Sequence, residues 1–269
     1  MDISKKLGWV PDLPDHRDMV MELPIPHALP PVVDLRLQDV APIYDQQALG
    51  SCTANAISAA LRFTLRKQSL PDVDPSRLYI YYKEREMEGT IASDGGAQIR
   101  DGMKVVASGF VPETEWPYDI TTFTQPPDLA KLDKDATLDH AILYQQVPVN
   151  IGMRACLASG YPFVMGISVY ESFQQAANGE IPMPSTTEQL LGGHAVMCVG
   201  YSDSTQRYAF RNSWGSDWGN GGYGTLPYDY LHNPGLASDF WVILTEVEND
   251  TSPLAPKGCN PLGWFRSAG

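Results

Sequence analysis

Three short stretches of the sequence carry side chains with complementary chemistry. Residues 46–52 (Gln-Gln-Ala-Leu-Gly-Ser-Cys) offer a side-chain amide and a thiol, residues 193–196 (Gly-His-Ala-Val) an imidazole, and residues 212–215 (Asn-Ser-Trp-Gly) a second amide. A thiol, a base and a group that orients the base are what nucleophilic acyl transfer by cysteine requires. Because the three stretches lie far apart along the chain, a folded domain must bring them together.

The thiol of Cys52 is the expected nucleophile. The alanine-rich stretch 52–66 has helical spacing and Ser51 is a suitable N-cap, so Cys52 is predicted in the first turn of a helix. Unpaired backbone N–H groups in a first turn stabilise a thiolate. We expect His194 to stabilise it further as an imidazolium and to protonate the leaving amine. Asn212 is expected to accept a hydrogen bond from the other ring nitrogen and so orient the imidazole.

Amide donors near the nucleophile predict an oxyanion hole. Attack on a carbonyl carbon places negative charge on the carbonyl oxygen, which then needs donors aimed at it. The expected donors are the side-chain amide of Gln46, six residues before Cys52, and the backbone N–H of Cys52 itself. Gln47 is the competing candidate, and only the spacing to the cysteine favours Gln46. Trp214 and Trp218 are expected to shield the hydrogen bond between Asn212 and His194 from water.

Composition and charge narrow the class of protein. The chain has 269 residues, 43% of them apolar, with 6 Trp, 13 Tyr and 8 Phe, which is enough for one large domain or two packed lobes. The formal net charge of −13 argues against nucleic-acid binding, which needs lysine and arginine against phosphate. Solubility is the simplest explanation of that charge, and steering of a cationic partner is the alternative.

The start of the chain and its cysteines favour a reducing compartment. Lys5 and Lys6 are followed by Pro11 and Asp12 rather than by an apolar core, so no signal peptide is expected. No stretch approaches the roughly 18 apolar residues of a membrane span, and four cysteines do not make a dense disulfide framework. We therefore expect a cytoplasmic protein, or one exported without a visible signal peptide, that is monomeric and has no membrane, nucleic-acid or cofactor partner. No metal is expected either, because the other histidines lack zinc-ligand spacing; they are His16, His27, His140 and His232.

The pattern changes along the chain from helical to extended. Residues 1–32 contain six prolines, which exclude a long helix. This order predicts an α+β protein with a helical lobe over about 33–145, an antiparallel β lobe over about 146–249 and a loosely held tail over 250–269. A cleft between unlike lobes is the natural substrate site. The predicted helices are 52–66, 75–88, 96–108 and 150–159, and the predicted strands are 163–169, 194–201, 207–212, 222–226 and 240–246.

Taken together, the motifs resemble the papain family of cysteine peptidases. The matching segments are 33–36, 42–52, 95–96, 115–118, 193–196 and 212–219, within roughly residues 33–247. The resemblance implies a papain-like fold, in which a helical lobe and a β-barrel-like lobe enclose the active site. It implies a thiol protease that acts on peptide or protein substrates, and it implies that the pair Gly95-Gly96 binds substrate as an added β-strand.

The resemblance also implies a pocket for the second substrate residue before the scissile bond, the P2 residue. Small side chains around that pocket leave room for a bulky apolar group such as Leu, Phe or Tyr. Asp239 would admit Arg if its carboxylate faces inward. The residues implied at this pocket and on the adjoining substrate surface are Ala97, Gln98, Gly166, Gly192, Gly193, Ala195, Trp214 and Ser238.

Several features depart from the family pattern. Leu49 and Ser93 stand where the family has the cysteines of a helical-lobe disulfide, which again favours a reducing compartment. Thr53 replaces the bulky aromatic residue that normally follows the nucleophile, and this removes no catalytic group. We expect no long helical pro-domain of the usual inhibitory kind, which would be typical of a bacterial or otherwise signal-less branch of the family.

Residues 1–32 therefore have two interpretations. They form either a structural arm on one lobe or an extended plug over the cleft that acts as the pro-segment of a zymogen. Prolines would preset the extended shape of such a plug, and Trp9 or Leu13 would occupy a pocket.

Other functions remain open on the same residues. A catalytically silent binding protein would have lost Cys52, His194 or Asn212, and none is lost. A transglutaminase or an amidase uses the same chemistry, but the paired glycines favour a peptide substrate. An exopeptidase would need a segment that blocks one end of the cleft, and 1–32 or 179–192 would serve.

Overall fold

The computed structural model describes residues 7–22, 28–39, 41–136 and 142–245. Its α-helices are α1 (Cys52–Lys67), α2 (Arg77–Glu88), α3 (Ile99–Ser108), α4 (Leu129–Asp135), α5 (Ile151–Ala158), α6 (Glu171–Gln175) and α7 (Tyr228–His232). Its strands are β1 (Val32–Asp34), β2 (Ile142–Gln146), β3 (Phe163–Tyr170), β4 (Leu190–Ser202), β5 (Arg207–Arg211), β6 (Tyr223–Pro227) and β7 (Ala237–Thr245). None of these helices is long and apolar enough to cross a membrane.

The helix α1 is the central element of the domain. Its residues from Cys52 to Leu61 are all buried, and it contacts α2 and α3 on one side and β4 and β7 on the other. Four alanines in this stretch keep the helix thin enough to be enclosed on all sides. The nucleophile candidate is therefore held at the junction of the helices and the sheet.

The strands form one antiparallel sheet in the order β2-β7-β3-β4-β5-β6, and β1 pairs with β4. In β4, His194 lies opposite Ile167 of β3, and in β5, Arg211 pairs with Met197 of β4. Because Asn212 directly follows β5, this register places it beside His194. Among the described residues β2 and β6 do not pair, so the sheet is open, whereas a barrel-like lobe was predicted.

Residues 7–22, here called the N-terminal arm, run extended along the domain. Trp9 forms a parallel bridge with Ala97 just before α3, and Val20 forms one with Gln146 at the end of β2. The N–H of Met21 donates to the carbonyl of Gln146 at 2.8 Å. The arm therefore covers an edge of the sheet that would otherwise present unpaired backbone groups.

Most of the predicted elements are present, and the differences have local causes. The helix predicted at 96–108 begins only at Ile99, because Gly96 has a φ of +78° and Ala97 pairs with the arm. The strand predicted at 194–201 extends over Leu190–Ser202. β1 and β2 were not predicted, because one is very short and the other is rich in glutamine. β2 also lies across the expected boundary between the lobes at residue 146.

A buried ion pair ties the segment before the nucleophile to the sheet. The guanidinium of Arg211 donates to both carboxylate oxygens of Asp39 at 2.8 and 2.9 Å, and only 2% of each side chain is exposed. Arg211 also donates to the carbonyls of Ala41 and Pro42. The chain that leads to Gln46 is thus fixed by the residue that precedes Asn212.

Replacing Asp39 with alanine is expected to lower the free energy of unfolding by about 3–5 kcal/mol, because it leaves a buried guanidinium without its counter-ion. Asp34 offers a matched control, since its pair with Arg36 is well exposed and its loss should cost less than about 1 kcal/mol. Denaturant unfolding of the two variants measures both values. Equal losses in the two variants would contradict this role of the buried pair.

Candidate active site

Cys52 is the first residue of α1 and is fully buried. The backbone N–H groups of Ala195, on β4, and of Gly8, in the arm, lie near its sulfur and favour its thiolate form. Burial raises the pKa of the thiol to about 12, although these two N–H groups act in the opposite direction. With the arm in place, the thiol is therefore held in its neutral form.

The imidazole of His194 is fixed by two neighbours. Its Nε2 lies 2.7 Å from Oδ1 of Asn212. That Oδ1 also accepts from the N–H of Ser213 at 2.8 Å, so it is an acceptor and the imidazole Nε2 is the donor. The ring of Trp214 stacks on the imidazole with centroids 4.7 Å apart, which shields the hydrogen bond as predicted. His194 and Cys52 lie next to each other, since Ala195 contacts the sulfur.

Gln46 is buried beside the nucleophile turn, whereas Gln47 is exposed. The side-chain oxygen of Gln46 accepts from the hydroxyl of Ser213 at 2.7 Å, and its amide nitrogen donates to the carbonyl of Leu49 at 2.8 Å. The side chain is therefore oriented from both ends. Of the two glutamines, only Gln46 is buried, and its amide bonds the turn that leads to Cys52.

The N-terminal arm passes directly over Cys52. The carbonyl of Gly8 accepts from the N–H of Ala97 at 2.8 Å, and the N–H of Trp9 donates to the carbonyl of Gly193 at 3.1 Å. A Cβ atom at position 8 would collide with the carbonyl of Gly50. The arm thus makes backbone bonds at Ala97, the residue after Gly95-Gly96, and the binding of substrate at the two glycines stays a prediction.

The indole of Trp9 fills the pocket predicted for the P2 residue. It lies against the backbone of Gly166 and Gly193, where any Cβ atom would overlap the ring. Its Nε1 donates to Oδ2 of Asp239 at 2.9 Å, so the carboxylate faces inward. Ser238 is opposite Gly166 in the sheet register and completes this part of the surface.

Two more of the predicted substrate-binding residues, Gly192 and Gln98, also lie against the arm. Gly192 contacts Leu7 of the arm, and Gln98 accepts a hydrogen bond from the backbone of Leu13 through its side chain at 3.4 Å. The side chain of Leu13 is 72% exposed and occupies no pocket, so of the two predicted anchors the one in the pocket is Trp9.

Charged groups of the domain hold the arm after Trp9. Asp239 accepts from the N–H of Asp12 at 2.8 Å, and Asp12 in turn accepts from the indole of Trp241 at 2.9 Å. The buried Arg100 of α3 donates to the carboxylate of Asp18 at 2.7 and 3.0 Å, and it also bonds the carbonyl of Leu13. Sequence reasoning missed these partners, because they are separated by 82 to 229 residues and form no local motif.

Asp94 is a second residue that sequence reasoning missed. Its carboxylate accepts from the N–H of Gly50 at 3.0 and 3.1 Å and from the hydroxyl of Tyr81 at 2.6 Å. It therefore fixes the turn that precedes Cys52. Its position directly before Gly95-Gly96 was the available signal.

Within the described residues, the other cysteines and histidines do not belong to this site. Cys156 and Cys198 are buried and free, and Cys259 lies outside the described residues. His16 is exposed and His232 packs half-buried against Tyr208. His27 and His140 also lie outside the described residues.

Comparison with known proteins identifies the class. Residues 29–242 match the model of the papain family cysteine proteases, so the chain belongs to that family. Xylellain, a cysteine protease from Xylella fastidiosa, is 42% identical to this chain; the match covers 90% of this chain and 97% of that one with a TM-score of 0.83. An uncharacterized peptidase C1-like protein of Acanthamoeba polyphaga mimivirus is 34% identical over 96% of this chain and 93% of its own length. Cysteine proteinase 3 of Entamoeba histolytica is 28% identical over 79% and 67%. The chain is thus a papain-like cysteine peptidase of the α+β class.

Replacing Trp9 with alanine is expected to expose Cys52. Loss of the indole removes both the filling of the pocket and the hydrogen bond to Asp239, and this should raise the rate of Cys52 alkylation by iodoacetamide at least about tenfold. Mass spectrometry identifies the labelled residue. Leu13→Ala is the matched control, because it removes an exposed apolar side chain from the same arm and should change nothing. Equal rates in the two variants would show that the docked arm does not limit access.

Proposed function

We propose that the chain is a cysteine endopeptidase in which Cys52 is the nucleophile, His194 the general acid and base, and Asn212 the orienting residue. The observation that supports this most is the alignment of the three groups. Asn212 holds Nε2 of the imidazole at 2.7 Å, and the residue after His194 contacts the sulfur of Cys52. Nε2 is thereby committed to the asparagine, and proton exchange with the thiol falls to Nδ1.

The proposed reaction runs through a thioester. The thiol gives its proton to His194, and the thiolate attacks the carbonyl carbon of the scissile amide. Gln46 and the backbone N–H of Cys52 donate to the oxygen that becomes negative. As the C–N bond breaks, His194 returns its proton to the leaving amine. Water, deprotonated by His194, then attacks the thioester, and the freed thiolate regains the proton.

We also propose that the N-terminal arm keeps the enzyme latent, as the pro-segment of a zymogen does. The backbone N–H of Gly8 lies near the sulfur of Cys52, and the carbonyl of Gly8 accepts a hydrogen bond from Ala97. The arm therefore occupies the space over the nucleophile that a substrate would need. Substrate would displace it and take over the backbone bonds of Ala97 and Gly193.

The occupied pocket supports a preference for a bulky P2 residue. It accommodates an indole, the largest side chain, against the glycine backbone at 166 and 193. The carboxylate of Asp239 lies where the indole N–H ends, so a cationic P2 side chain would also find a partner there.

Reporter peptides test the proposed function and the P2 preference together. In full-length Trp9→Ala, reporters with Leu-Arg and Phe-Arg before the scissile bond should be cleaved at least about tenfold faster than one with Gly-Arg. Asp239→Asn should reduce cleavage of Arg-Arg about tenfold relative to Phe-Arg. Cys52→Ala in the same background is the control and should cleave nothing. A preference for Gly or Asp at P2 would contradict the pocket assignment, and trimming of a long peptide only from its ends would contradict endopeptidase action.

The carboxyl of Asp12 makes docking of the arm dependent on pH. Burial, and next the neighbouring carboxylate of Asp239, raise its pKa from 3.8 to about 7, while Trp241 and Arg100 act in the opposite direction. Between pH 3.8 and about pH 7, Asp12 is therefore protonated in the docked arm and ionised in the released arm. Docking is therefore tightest at acidic pH, weakens by up to about tenfold per pH unit until about pH 7, and is constant above it.

Docking is measured by a ratio, the rate of Cys52 alkylation in the full-length protein divided by the rate in Trp9→Ala. Because the pH dependence of the thiol itself affects both rates, it cancels in this ratio. We expect this ratio to rise as the pH increases from acidic to neutral. Asp12→Asn has no titrating group at this position, so its ratio should stay flat over the same range. The same rise in both proteins would rule out Asp12 as the titrating group.

A further inference from the structure

Behind the nucleophile turn, four residues are joined by a chain of side-chain hydrogen bonds. The amide nitrogen of Asn55 donates to the hydroxyl of Ser51 at 3.1 Å, this hydroxyl lies 2.6 Å from that of Tyr118, and Tyr118 donates to the carbonyl of Gln46 at 3.0 Å. An amide nitrogen only donates and a carbonyl only accepts. The direction of the chain is therefore fixed, with Ser51 donating to Tyr118.

One end of this chain controls the backbone N–H of Cys52. The carbonyl of Ser51 accepts from both the backbone N–H of Asn55, at 3.1 Å, and its side-chain amide, at 2.9 Å. This carbonyl and the N–H of Cys52 belong to the same planar peptide group, so fixing the direction of one fixes the direction of the other. Asn55 thereby aims the first oxyanion donor.

The other end controls Gln46, which carries the second donor. The hydroxyl of Tyr118 donates to the backbone carbonyl of Gln46, and the backbone N–H of Gln46 donates to the carbonyl of Ser213 at 2.8 Å. The main chain of Gln46 is thus held on both sides. One hydrogen-bonded chain therefore connects the backbones that carry the two donors.

A buried arginine keeps the chain in place. The guanidinium of Arg77 stacks on the ring of Tyr118, 3.9 Å from its centroid, and donates to the side-chain oxygen of Asn55 at 3.2 Å. Its counter-ion is Glu113. Ser51 stands at the N-cap of α1 but makes no capping bond, because its hydroxyl serves the chain instead. A capping bond normally stabilises a helix, and here the hydroxyl of Ser51 bonds Tyr118 in place of that capping bond.

We propose that Tyr118 and Asn55 are positioning residues, which hold the two oxyanion donors at the geometry that the negatively charged intermediate needs. The proposal rests on the peptidase function proposed above. It concerns only reactions that place charge on a carbonyl oxygen. Alkylation of the thiol by iodoacetamide occurs at a saturated carbon and forms no such charge, so it reports access and thiol reactivity alone.

The test compares the two reactions in full-length Trp9→Ala and in the same protein with Tyr118→Phe, which removes one hydroxyl. We expect kcat for a Phe-Arg reporter to fall about tenfold while KM and the alkylation rate of Cys52 stay within about twofold. Ser51→Ala breaks the same chain at its middle and should give the same pattern. The kcat of the double variant, with both Tyr118→Phe and Ser51→Ala, should fall no further than that of either single variant, because each substitution breaks the same chain of hydrogen bonds.

Tyr79→Phe is the matched control, because the hydroxyl of Tyr79, on α2, bonds Asp133 of α4 and takes no part in this chain. It should leave kcat, KM and alkylation unchanged. Equal losses of alkylation and turnover in Tyr118→Phe, or an unchanged kcat in both chain variants, would overturn the proposal. Absence of hydrolysis in the Trp9→Ala parent would instead overturn the proposed function, and this proposal with it.

Discussion

The packing of the first turn of α1 against β4 is the constraint on which the rest of the site depends. It places the sulfur of Cys52 on the backbone N–H of Ala195, and therefore beside the imidazole of His194. Burial at this junction removes the thiol from water and raises its pKa, although the N–H of Ala195 acts in the opposite direction, so the site favours a neutral thiol unless a cation or incoming substrate changes its surroundings. The Arg211–Asp39 pair and the turn held by Asp94 both serve to keep this junction rigid.

The N-terminal arm exploits the features that make the cleft suitable for a peptide. Backbone groups at Ala97 and Gly193 bind an extended chain whatever its sequence, and the absence of side chains at Gly166 and Gly193 leaves room for a large ring. The arm uses both and is further fastened by Arg100, which lies outside the reaction centre. Affinity for the arm is thus separated from the groups that perform the chemistry.

Much of the site could be predicted from the sequence because its parts are locally encoded. The helix that begins at Cys52 follows from spacing, and short motifs carry His194 on β4 and Asn212 directly after the neighbouring β5. What could not be predicted depends on contacts distant in sequence. The sequence does not distinguish Trp9 from Leu13 as the residue that enters the pocket, because both are large and apolar. Only the fold brings Trp9 to Asp239, 230 residues away. Ser51 was predicted as an N-cap from local preference, but a tertiary partner, Tyr118, takes its hydroxyl.

The most direct test of this account is labelling with an epoxide inhibitor of papain-like enzymes, applied to the full-length protein and to a version that begins near residue 33, with the labelled residue mapped by mass spectrometry. The account predicts stoichiometric labelling at Cys52, slow in the full-length protein and fast in the shortened one. Equally fast labelling of both would contradict an obstructing arm. Absence of labelling at Cys52 in both would contradict its assignment as the nucleophile.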